Sequence, residues 1–118
     1  MAMTWTEANL AVTAPGQIFE LVDAEVFGIK TQVFKNAPAH LGQVFAGARG
    51  HGEKTFLVYE GETYTFTQAM DQIDALSNLL VNTYGVKKGD RVAVAMRNYP
   101  EWVMSFAAIS SVGAITVS

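Results

Sequence analysis

The sequence predicts an α/β fold in which β-hairpins are followed by a βαβ unit with parallel strands, in a sheet that this chain leaves incomplete. Three observations carry that expectation. Two pairs of aromatic and β-branched segments flank glycine-containing turns, at Phe27-Gly28 and at Glu60-Gly61-Glu62. Apolar residues recur at helical spacing from Ala69 to Tyr84. Two short apolar segments, Arg91–Met96 and Ala114–Val117, bracket a helix rich in small residues.

From the N-terminus, residues 1–16 show no sustained period and close on Ala14-Pro15-Gly16, so an extended arm is expected. Phe19–Val26 and Ile29–Phe34 then read as a hairpin, with imperfect alternation. After Asn36-Ala37-Pro38, the residues Leu41, Val44, Phe45 and Ala48 share one face of a short helix within His40–Ala48. Thr55–Tyr59 and Thr63–Phe66 form the clearer strand pair.

Thr65 or Thr67 is placed to cap the next helix. Its apolar face holds Ala69, Met70, Ile73, Leu76, Leu80 and Tyr84, opposite Gln68, Asp71, Gln72, Asp74 and Asn78. Gly85 ends it by taking a left-handed conformation at little cost. A polar turn, Lys87-Lys88-Gly89-Asp90, precedes a strand expected to be buried on both faces. Asn98 is then expected to cap a helix with Pro100 in its first turn and Glu101 near the positive end of its dipole. Trp102, Val103, Phe106 and Ile109 are its bulky contacts, while Ala107, Ala108, Ser110 and Ser111 permit close backbone approach, and Gly113 stops it.

Composition narrows the function classes. The 118 residues are enough for one core or for part of a larger one, and two independent domains are not expected. Half the residues are hydrophobic and only 16% are charged, which is apolar for a small solitary domain and implies surface intended for a partner or for further sequence. A net charge of −3 with eight scattered Lys and Arg residues supplies no field for a phosphate backbone, so nucleic acid is not an expected partner. There is no cysteine, and His40 and His51 lack ligand spacing, so no metal site is assigned. Met1 to Glu7 lacks the cationic start and apolar run of a secretory signal, which makes the cytoplasm the default location. Trp102–Ser118 is uncharged but shorter than the ~20 residues that cross a bilayer, and its Ser, Gly and Thr residues suit a buried helix running into a buried strand.

Gly47-Ala48-Arg49-Gly50-His51-Gly52-Glu53-Lys54-Thr55 is superficially a phosphate-binding loop. That motif needs lysine directly after the second glycine, between a strand and a helix. Here Glu53 intervenes, and the segment joins a helix to a strand, so it is read as a flexible connector.

Taken together, three phrases resemble the AMP-forming acyl-CoA synthetases of the adenylate-forming superfamily. They are Tyr64-Thr65-Phe66-Thr67 opening a helix, Tyr84-Gly85-Val86-Lys87-Lys88-Gly89-Asp90-Arg91-Val92-Ala93-Val94, and Met96-Arg97-Asn98-Tyr99-Pro100-Glu101-Trp102, followed by the small-residue helix and Gly113-Ala114-Ile115. The resemblance covers roughly Phe34 to Val117. It implies that residues 1–118 are the N-terminal portion of the large domain of an enzyme that converts a carboxylic acid, such as a fatty acid, and ATP into an acyl-adenylate, then passes the acyl group to coenzyme A. ATP, Mg and CoA are what the parent enzyme is expected to use.

The family's Ser/Thr/Gly-rich loop with its lysine, its aromatic-x-x-Thr-Glu motif, its ribose-binding aspartate and its C-terminal lysine do not occur between Met1 and Ser118. No catalytic, cofactor-binding or metal-binding residue is therefore assigned, and this chain alone is expected to be inactive. Ser118 stands where family members commonly have proline.

The residues that invite a functional reading have structural explanations. Asp90 beside Arg91 reads as a turn and the start of a strand, and Asn98, Pro100 and Glu101 as a helix start. Trp102 and Phe106 lie at core spacing, with an acyl tunnel or subunit contact as the alternative; Asp71 and Asp74 belong to a solvated helix face. The competing reading of the whole chain is a non-catalytic interaction or dimerisation module using an unpaired sheet edge for self-association.

Overall fold

A computed structural model describes residues 2–118 as two compact units, residues 2–38 and 39–118. In the first, helix α1 (Trp5–Thr13) replaces most of the expected extended arm, whose first residue, Met1, lies outside the described residues. A capping box explains it: the Glu7 amide donates to Thr4 Oγ1 at 3.3 Å, and the Thr4 amide donates to Glu7 Oε2 at 2.8 Å. Pro15 forces Ala14 into an extended conformation, with ψ at 157°, and ends the helix.

The expected hairpin follows as β1 (Leu21–Val26) and β2 (Ile29–Phe34), antiparallel from Leu21↔Phe34 to Val26↔Ile29. Its two-residue turn has φ of 52° at Phe27 and 79° at Gly28, the left-handed pair of a type I′ turn. No residue between positions 2 and 38 is fully buried. This unit is held by its ladder and by local clasps.

The principal clasp is Glu20. Its carboxylate accepts from the Gly16 amide at 2.9 Å and from Lys35 Nζ at 2.9 Å, while the Lys35 amide donates to the Glu20 carbonyl at 2.8 Å. The Gly16 hydrogen bond, followed by that from Lys35, holds the carboxyl below its ordinary value of 4.5. Folded Glu20 thus binds its proton more weakly than unfolded Glu20. The resulting stabilisation is fully present above 4.5 and disappears as pH falls through the lower, folded value. In an NMR titration, Glu20 should titrate below 4.5 and the cross-strand contacts next to Lys35 should weaken in the same interval. Glu20→Gln should abolish that pH dependence; its persistence would show that another group controls the clasp.

The second unit contains the core. Helix α2 (Leu41–Ala48) turns its Phe45 and Ala48 inward but leaves Leu41 and Val44 exposed. A 3₁₀ turn at Arg49–His51 leads into β3 (Thr55–Tyr59), which pairs antiparallel with β4 (Glu62–Thr65) across a two-residue turn, Glu60-Gly61. Helix α3 (Phe66–Asn82) is capped by Thr65, whose Oγ1 accepts from the Gln68 amide at 3.2 Å while Gln68 Oε1 accepts from the Thr65 amide at 3.0 Å. It buries Ala69, Met70, Ile73 and Leu80. Gly85, at φ 67°, lets the Val86 amide donate to the Leu80 carbonyl at 2.9 Å. Tyr84, expected on the buried face, is exposed because it lies beyond the last helical residue.

Strand β5 (Arg91–Ala93), helix α4 (Pro100–Ser111) and β6 (Ile115–Val117) form the βαβ unit, with β5 and β6 parallel from Arg91↔Ile115 to Ala93↔Val117. Three expectations need correction. The strand expected over residues 91–96 covers only 91–93, because β6 offers a partner no further than Val117, whose carbonyl accepts from the Val94 amide at 2.8 Å. Tyr99, not Asn98, is the N-cap of α4, since Pro100 occupies the first helical position and fixes where the helix begins.

Nor are these strands covered on both faces. Val92 and Thr116 are half-buried, but Ile115 and Val117 remain 48% and 43% exposed. Among the described residues there are three sheets of two strands each, and none is closed.

Candidate functional site

The tightest packing lies where α3 and α4 meet. Ala69 and Ala108 have no exposed surface, and Ser77 Oγ donates to the Ala108 carbonyl at 3.4 Å, a distance that small side chains permit. Trp102 and Phe106 stack with ring centroids 5.7 Å apart, and Phe45 meets Phe106 edge-on at 6.2 Å. All three rings are half-buried; Phe45 and Trp102 pack against the core, and Phe106 meets both of them.

An apolar cleft of about 200 Å³ lies beside this helix pair, between Leu76 and Leu80 of α3, Ser105 and Ile109 of α4, and the chain from Val92 to Met96. A second, more open groove of about 410 Å³ is bounded by Tyr59, Glu62, Met96, Tyr99, Pro100 and Glu101. Tyr59 and Tyr99 meet edge to face at 5.5 Å, and Tyr64 Oη donates to Glu62 Oε2 at 2.9 Å. Desolvation, with smaller contributions from Tyr99 and nearby glutamates, raises the Tyr59 phenol. The Glu62 hydrogen bond, then desolvation, raises that of Tyr64. Both phenols stay protonated at neutral pH, and that of Tyr64 is a hydrogen-bond donor to Glu62. Sequence reasoning missed this groove because its walls come from the β3–β4 hairpin and from the start of α4, segments far apart along the chain.

The other residues singled out from sequence are dispersed. Asp90 Oδ2 accepts from the Lys87 amide at 2.8 Å, tightening the turn before β5. Asp74 receives Arg49 Nη2 on both carboxylate oxygens, at 2.6 and 2.7 Å, while Asp71 is exposed on the same helix. His40 precedes α2, whereas the His51 ring lies 4.7 Å from that of Phe66. Among the described residues no group of three or more His, Asp or Glu is placed to hold a metal ion. The segment from Gly47 to Thr55 leaves α2, makes a 3₁₀ turn and enters β3, so it does not run from a strand into a helix as a phosphate-binding loop does, and the α3 N-terminus that meets it is taken up by its own backbone, the Thr67 amide donating to the Gly52 carbonyl at 3.0 Å. No helix among the described residues is long and apolar enough to cross a membrane.

Residues 44–118, most of the second unit, match the family model described as AMP-binding enzyme. The chain belongs to the AMP-binding enzyme family. The resemblance noted over roughly Phe34 to Val117 is thereby confirmed, the match covering residues 44–118.

Among relatives in sequence, the acetyl-coenzyme A synthetase of Allorhizobium ampelinum is 38% identical over 71 residues, 55% of this chain and 11% of the relative. The long-chain fatty acid transport protein 6 of Mus musculus is 26% identical over 92 residues, 75% of this chain and 15% of the relative. The solved anthranilate CoA ligase AuaEII, in complex with anthranoyl-AMP, superposes with a TM-score of 0.63 at 26% identity, over 69% of this chain and 16% of that one. The N-terminal subdomain of Klebsiella oxytoca NpsA shares the fold, with a TM-score of 0.62 at 24% identity over 66% of this chain and 20% of that one. The chain thus spans 11% of the length of the synthetase and 15% of that of the transport protein.

Proposed function

We propose that residues 1–118 supply the N-terminal scaffold of an ATP-dependent acid–CoA ligase and perform no adenylation alone. The family match over residues 44–118 carries this reading. In the proposed reaction a substrate carboxylate oxygen attacks the α-phosphorus of ATP, forming acyl-AMP and releasing pyrophosphate. The CoA thiolate then attacks the acyl carbonyl and AMP leaves. Adenylation is needed because a carboxylate is a poor electrophile and AMP a far better leaving group than oxide. Residues outside this chain would hold the triphosphate and its Mg. The described part would contribute the α3–α4 layer on which a parallel sheet is built.

We take the acid to be a fatty acid, supported by the fatty acid transport protein among the relatives with broad coverage of the chain, and the location to be the cytoplasm. A second reading, a non-catalytic module that self-associates, is favoured by the exposed Ile115 and Val117 on the open β5–β6 pair. Reading the encoding DNA beyond the codon for Ser118 separates the two. The ligase reading expects an open frame leading into a Ser/Thr/Gly-rich loop with a lysine. An immediate stop codon would contradict it and favour a stand-alone module or a decayed gene.

A further inference from the structure

We draw no further inference here: the strongest candidate, the open groove between the β3–β4 hairpin and the start of α4, where Tyr59 and Tyr99 stand beside Glu62 and Glu101, carries nothing because it amounts to an acidic cluster at a helix N-terminus and nothing in the structure shows what occupies it.

Discussion

Replacing Met70 with alanine should lower the unfolding free energy of the second unit by about 2–5 kcal/mol, measured from the urea midpoint at unchanged denaturant slope. Met70 is the largest fully buried side chain, projecting from α3 into a core that includes Ile73, Met104 and Ile109. Alanine removes its thioether and leaves a cavity, so lost transfer energy and lost contacts add. A domain of ordinary stability retains only ~5–15 kcal/mol in total, so the variant should be visibly less folded at moderate temperature. An effect below about 1 kcal/mol would mean that this core is not formed in solution.

Enlarging the smallest contact should also be costly. Ala108→Leu places three further carbons where α4 lies against α3, at a position with no exposed surface and with Ser77 Oγ 3.4 Å from its carbonyl oxygen. The helices must separate or a rotamer must be forced, at a cost of about 1–3 kcal/mol. Ala46→Leu, on the exposed side of α2, should change stability by less than about 0.5 kcal/mol and serves as the control. Equal effects from both substitutions would show that α3 and α4 do not approach closely.

The second unit was legible wherever local chemistry and burial agree. Thr65 caps α3 as one of two candidate threonines, its apolar periodicity matches the buried Ala69, Met70, Ile73 and Leu80, and Gly85 follows it in a left-handed conformation. The parallel pairing of β5 with β6 also followed from an apolar strand, a small-residue helix and a second apolar strand. Helix α1 was missed because it buries none of its residues, so no apolar stripe marked it. The signal was present in Thr4 and Glu7, three positions apart, a spacing that closes a capping box. Strand length at β5 depends on how far a remote partner runs, which periodicity along one segment does not encode. The Tyr59–Tyr99 groove was illegible for the same reason, since each wall alone reads as an ordinary hairpin or helix start.

A chain that provides framework alone, with the adenylating groups elsewhere, should be silent in the first half of the ligase reaction. Acid-dependent exchange of labelled pyrophosphate into ATP tests this most directly, with the 118-residue chain incubated with Mg-ATP and acetate, anthranilate or a long-chain fatty acid in turn. No exchange above the protein-free background is expected with any acid. Exchange that requires an acid, survives repurification and disappears on unfolding would contradict the account, because these residues would then be forming an acyl-adenylate themselves.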